Sequence, residues 1–159
     1  MQHTHPELKA DMGNKNSVAL KGARILLGGW FIYLGMMKAM DPVAFLKTLN
    51  EYEIIQNYLA LNFIAAVLPW FEILCGILLI AGIGVRGISL NLLILLTAFT
   101  SLVFLRALSL QSELRVGFCD IHFDCGCGTG RVWICGKLLE NSALIGFATV
   151  LVCFGKSKK

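Results

Sequence analysis

Apolar residues gather into four long runs along this chain, separated by short polar or glycine-rich breaks. The cleanest run is Gly87 to Leu105, nineteen consecutive residues without a charge. A helix rises ~1.5 Å per residue, so such a run covers most of the ~30 Å hydrocarbon core of a bilayer. A second run, Ala19 to Met40, carries Arg24 and Lys38 near its two ends, where long side chains can snorkel to opposite interfaces. Trp30 and Tyr33 lie inside it, away from the usual interfacial belt. A third, Tyr58 to Ile83, is interrupted by Pro69 and by the single charge Glu72. The fourth, Leu138 to Gly155, is the weakest, and its length also suits a re-entrant or interfacial helix. The pattern predicts an all-α integral membrane four-helix bundle.

The connections fit that prediction. Asp41 followed by Pro42 has the form of an N-cap and first helical position. Phe45, Leu46, Leu49 and Tyr52 then recur at helical spacing, opposite Lys47, Asn50, Glu51 and Glu53, as in a short amphipathic helix lying at the interface. The stretch Gly82-Ile-Gly-Val-Arg-Gly87 predicts a tight antiparallel hairpin between spans two and three. Residues 1–17 read as a polar tail, with His3 and His5 in it, and 156–159 as a basic one. No cleavable signal sequence is apparent, so the first apolar helix is expected to stay in the mature chain.

Composition agrees. Of 159 residues, 57% are hydrophobic and 15% charged, against about 25% charged in an ordinary soluble domain. The net charge of +4 comes from lysines and arginines at segment ends, with no basic stripe of the kind that binds nucleic acid. Four spans place both termini on one side. Eight of the 14 basic residues fall on that side and six on the other. The terminal clusters favour cytoplasmic termini. A loop from Arg106 to Lys137 then faces outward, which in a bacterium means the oxidising periplasm.

That loop holds Cys119, Cys125, Cys127 and Cys135, the middle pair within Asp124-Cys-Gly-Cys-Gly-Thr-Gly130. One intervening residue suits a structural zinc site poorly, because tetrahedral sites draw on C-x2–4-C pairs, although Asp120 or His122 could complete one. Haem-attachment and iron–sulfur spacings do not match. A C-x-C pair that closes on itself makes a small strained ring, better suited to exchange than to bracing. Cys119 and Cys135 could resolve it, and Arg115, Arg131 or His122 could favour the thiolate. Two structural disulfides remain the plain alternative, and four cysteines allow three pairings. Cys75 and Cys153, inside spans two and four, read as inert packing residues.

Glu72 falls near the middle of its span, where an ionisable group is costly and marks function by default. Pairing with Lys38 looks hard to build, since Glu72 lies ~20 Å along an ideal helix from Tyr58. Asn62 and Asn91 read as polar contacts between helices. Transport is disfavoured because no inverted repeat is present.

An ordered set of elements resembles the MauE/DoxX family of small bacterial membrane proteins: Gly28-Gly-Trp-Phe31, Gly35-Met-Met-Lys38, Asp41-Pro42, Phe45, Tyr52, Leu68-Pro-Trp-Phe-Glu72 with Gly76, and Asp124-Cys-Gly-Cys127-Gly. The resemblance implies a four-helix protein of the bacterial inner membrane associated with thiol or sulfur oxidation, or with maturation of a disulfide-rich enzyme subunit. It also implies Cys125 and Cys127 as the exchange pair, and Lys38 and Glu72 as signature polar residues. Gly128-Thr129-Gly130 replaces the family's usual phenylalanine-containing continuation, and Cys119 and Cys135 are additions, which favours a two-pair relay. The expected activity is disulfide exchange with a periplasmic thioredoxin-like or substrate protein. A quinone held between helices is a possible electron acceptor, by analogy with vitamin K epoxide reductase-like four-helix proteins. The alternative is a non-catalytic accessory or assembly subunit with permanent disulfides.

Overall fold

A computed structural model describes residues 6–51, 57–114, 117–124 and 131–155. The described residues form five α-helices: α1 (Pro6–Met40), α2 (Pro42–Glu51), α3 (Tyr58–Ala81), α4 (Val85–Leu114) and α5 (Ile134–Phe154). All but α2 include a stretch long and apolar enough to cross a membrane. Between α4 and α5 lie a 3-10 turn, Phe118–Asp120, and two three-residue strands, β1 (His122–Asp124) and β2 (Arg131–Trp133). The strands pair antiparallel, with His122 opposite Trp133 and Asp124 opposite Arg131. This small ribbon was not foreseen from the hydrophobic pattern.

Several boundaries differ from those expected. Helix α1 runs back through the polar N-terminal stretch to Pro6. Pro69 does not interrupt α3, which is continuous from Tyr58 to Ala81. Helix α4 continues nine residues past Leu105, and α5 begins four residues before Leu138, so the loop between them is shorter than 106–137. Along α4 the serine hydroxyls turn back onto their own helix: Ser101 Oγ donates to the Thr97 carbonyl at 2.8 Å, and Ser112 Oγ to that of Ser109 at 2.7 Å. At the start of α5, Lys137 and Glu140 pair one turn apart at 2.9 Å, so two charges that end an apolar run do not end a helix.

The helices pack as two pairs, α1 with α3 and α4 with α5. The first pair meets backbone to backbone. A Cβ on Gly28 would lie 2.7 Å from the Gly76 carbonyl oxygen, one on Gly76 2.6 Å from that of Gly28, and one on Gly35 2.7 Å from that of Pro69. Glycine permits an approach that any side chain would prevent. The second pair meets through side chains, and both contribute to a buried cluster that includes Leu27, Phe31, Leu79, Leu92, Leu96, Ala148 and Leu151.

The turn joining α3 to α4 is as short as its glycines suggest. Gly82 adopts φ 84°, in the left-handed region, and its N–H and that of Ile83 reach back to the Leu79 and Leu78 carbonyls in a Schellman closure. At the same end of the bundle, two arginines cap helix C-termini. Arg24 donates to the Leu79 and Ile80 carbonyls, each at 3.1 Å, and Arg86 to the Gly155 and Cys153 carbonyls at 3.0 and 3.3 Å. A guanidinium there adds donors to last-turn carbonyls and complements the helix dipole.

At the opposite end, Asp41 caps α2 as its sequence suggests, its Oδ1 accepting from the Ala44 N–H at 2.9 Å. Helix α2 buries Phe45 and Thr48 against the bundle, while Lys47, Asn50 and Glu51 remain exposed. Tyr52 and Glu53, assigned to its two faces from the sequence, lie outside the described residues.

Candidate functional site

The α2 end of the bundle carries both sets of chemistry-bearing residues singled out from the sequence. The first is the cysteine loop. Cys119, on the 3-10 turn, is joined by a disulfide to Cys135, sixteen residues on and in the first turn of α5, with the two Cα atoms 5.2 Å apart. Cys119 is exposed, and Cys135 is half-buried. Beneath them a cluster of Leu34, Val103, Ala107, Ile121 and Ile134 is fully packed, and Cys135 packs against it. The Trp133 indole N–H donates to the Cys119 carbonyl, and the Ile134 N–H to that of Ile121 at 3.3 Å, so the two ends of the loop are tied by hydrogen bonds as well.

Of the three pairings open to four cysteines, the observed bond leaves Cys125 and Cys127 as the remaining two. Both lie outside the described residues, in the 125–130 segment that joins the ends of the ribbon at Asp124 and Arg131. His122 and Arg131, considered as neighbours that could favour a thiolate, are exposed on the ribbon. Arg115 lies outside the described residues. Among the described residues, no three His, Cys, Asp or Glu side chains converge as metal ligands.

The second set is an ion pair. Lys38 Nζ lies 2.6 Å from Glu72 Oε1 and 2.8 Å from Oε2, with both residues buried. The Phe45 ring of α2 and the Phe99 ring of α4 stand 5.4 and 5.9 Å from the ammonium, within cation–π range. The expectation that this pair is hard to build places Lys38 level with Tyr58. The glycine contacts overturn that assumption. With Gly28 on Gly76 and Gly35 on Pro69, Lys38 comes level with Ala66, about 9 Å along the axis from Glu72 and within the combined reach of the two long side chains. Helix α2 then packs against α3 and covers the pair with Phe45.

Other expectations need correction. Asn62 is exposed, and Asn91 Nδ2 donates to the Gly87 carbonyl of its own helix at 3.0 Å. The polar contact between helices is instead made by the buried Asn141, whose Nδ2 donates to Thr100 Oγ1 at 3.1 Å across the α4–α5 interface. Lys137 is a second buried lysine that the sequence argument placed in the loop. Its signal was Glu140, three residues on. Cys75 is a buried free thiol, as expected of a packing residue, whereas Cys153 is exposed on α5.

Four apolar helices long enough to span a bilayer, with a disulfide-closed loop at one end, define a multi-pass membrane protein. The chain belongs to the MauE family, whose model, described as methylamine utilisation protein MauE, matches residues 16–154. No curated protein and no solved structure shows a significant match.

Proposed function

We propose that this MauE-family protein is a thiol–disulfide exchange protein of the bacterial inner membrane. Its termini face the cytoplasm, and its cysteine loop exchanges disulfides with a periplasmic thioredoxin-like or substrate protein. The observation that carries the reading is the Cys119–Cys135 disulfide at the end of the bundle opposite Arg24 and Arg86. Arginines that cap helix ends at one face agree with a cytoplasmic location for it, and a disulfide at the other agrees with an oxidising compartment.

In this reading Cys125 and Cys127 are the pair that meets the partner, and Cys119 and Cys135 are the second pair of a relay. A thiolate attacks one sulfur of a disulfide, the other sulfur leaves, and a mixed disulfide links the two proteins until a second thiol resolves it. The family description places the chain in the context of methylamine utilisation, which suits a partner that acquires disulfides after export. The test is to express Cys125→Ser and Cys127→Ser in the native host and to trap thiols with acid before non-reducing electrophoresis. One variant should accumulate a partner adduct and the other should lose it. If both variants retain wild-type activity in vivo, the exchange reading fails.

One observation favours a second reading. Cys119–Cys135 joins the 3-10 turn to α5 over a packed apolar cluster, which is also what a brace does. A non-catalytic assembly subunit would keep that bond permanently oxidised. Alkylation of thiols in intact cells separates the readings: a redox state that changes with partner expression supports exchange, and a fixed one supports the brace.

A further inference from the structure

Resting on the exchange reading, we propose that the Cys119–Cys135 disulfide is polarised: an incoming thiolate attacks Cys119, and Cys135 is the sulfur that leaves. Access and charge both point this way. Cys119 is exposed on a 3-10 turn, next to exposed Asp120. Cys135 is half-buried and packs against the cluster of Leu34, Val103, Ala107, Ile121 and Ile134. An entering thiolate approaches along the line of the breaking S–S bond, on the side away from the leaving sulfur. Attack at Cys119 therefore comes from its own exposed side, whereas attack at Cys135 has to pass residues packed against it.

The negative charge formed on the leaving sulfur is also placed differently in the two cases. Cys135 is the second residue of a 21-residue helix, and the N-cap residue Trp133 gives no side-chain hydrogen bond to the first turn. Ile134 N–H is occupied by the Ile121 carbonyl, and the amides that follow it face the end of the helix where negative charge is favoured. A thiolate on Cys135 forms within that first turn, where the helix dipole favours negative charge. A thiolate on Cys119 forms on the turn that carries Asp120 as its next residue, where a carboxylate disfavours a second negative charge. A sulfur whose thiolate is stabilised leaves faster.

The step balances. The Cys119–Cys135 bond breaks, a bond forms between Cys119 and the incoming sulfur, and the electron pair stays on Cys135, which takes a proton from water. When the second thiol of the incoming dithiol, which in the relay is the Cys125/Cys127 pair, attacks the mixed disulfide, Cys119 is released as a thiol. That dithiol is then oxidised by two electrons, and the Cys119–Cys135 pair is reduced by two.

The test uses the full chain, purified in lipid nanodiscs as the Cys125→Ser/Cys127→Ser variant. It is exposed briefly to limiting reduced glutathione, quenched with acid, alkylated and digested with trypsin. Cleavage after Arg115, Arg131 and Lys137 places Cys119 and Cys135 on separate peptides, 116–131 and 132–137. The glutathionyl group should appear on the Cys119 peptide and the alkyl group on the Cys135 peptide, with a preference of about tenfold. The unsubstituted chain, mapped the same way with fragmentation of the longer peptide, repeats the reading should the variant fold poorly. An adduct on Cys135, an even split, or no adduct on either sulfur overturns the polarity. Failure of the exchange reading shows elsewhere, as the absence of any trapped partner in cells.

Discussion

The two helix pairs of the bundle are held by different physics. Helices α1 and α3 meet where Gly28, Gly35 and Gly76 admit the facing backbone carbonyls together with Ile80, Ile73 and Ile32, and the pair is joined by the buried ion pair Lys38–Glu72. Helices α4 and α5 meet through aliphatic side chains and the neutral contact from Asn141 to Thr100, and the loop between them is closed by a disulfide. A glycine contact fixes register sharply, because sliding by one residue drives a side chain into a carbonyl. A leucine-and-alanine contact tolerates small shifts. The glycine-packed pair thus positions charge, and the aliphatic pair carries the disulfide at its end.

Breaking the ion pair should produce the largest effect. Glu72→Ala leaves the Lys38 ammonium buried and unpaired between Phe45 and Phe99, at a cost of about 3–5 kcal/mol. Unfolding in detergent, monitored by helical circular dichroism, measures it. The double variant Lys38→Met/Glu72→Leu removes both charges and should recover most of the loss. If the double variant is as stable as wild type but inactive in cells, the pair serves function beyond packing. If it is as unstable as Glu72→Ala, the unpaired charge is not the cause.

Next in size is the disulfide. Cys119→Ala/Cys135→Ala releases a loop with a sequence separation of 16, worth about 3 kcal/mol in the chain-entropy account. The loss should be local. Hydrogen exchange should rise across 117–135 and stay unchanged at the Gly28–Gly76 contact. Faster exchange in α1 and α3 would show that the two pairs are not independent.

How much of this was legible from residue order follows the same division. Runs of apolar residues located the four long helices because bilayer thickness sets their length, and Asp41-Pro42 located the start of α2 because capping is local. The Lys38–Glu72 pair was misjudged because the offset of α1 along α3 depends on three glycines meeting across the interface, a relation between distant positions. Asn141 was missed for the same reason, since its partner Thr100 is 41 residues away. The start of α5 was placed late because Lys137 and Glu140 count as charges in a hydropathy window, although they neutralise each other one turn apart. Cys125 and Cys127 stood out by spacing alone. The Cys119–Cys135 bond did not, because three pairings are equal on paper.

A smaller effect sharpens the contrast between the interfaces. Gly76→Val puts branched carbons against the Gly28 carbonyl and Ile32, and overpacking of this kind costs about 1–3 kcal/mol. A Cβ on Gly146 of α5 meets nothing within 4 Å, and Gly146→Val should change stability by no more than about 0.5 kcal/mol. Equal losses at the two positions would mean that helix propensity, and not the close approach of α1 and α3, sets the cost.

The smallest effect is expected at Asn141. Replacing it by leucine removes its hydrogen bond to Thr100, and contacts of this type inside membranes average only about 0.6 kcal/mol. The reason is visible at the acceptor. Thr100 Oγ1 already donates to the Leu96 carbonyl at 2.6 Å, so losing Asn141 leaves no hydroxyl proton unsatisfied, and leucine has a similar volume. Asn141→Leu should therefore unfold within about 1 kcal/mol of wild type. Asn141→Asp retains the volume but adds a charge beside that carbonyl-bonded hydroxyl and should be clearly worse. If leucine proves as damaging as aspartate, Asn141 is holding more than Thr100, and the α4–α5 interface is as exacting as the glycine-packed one.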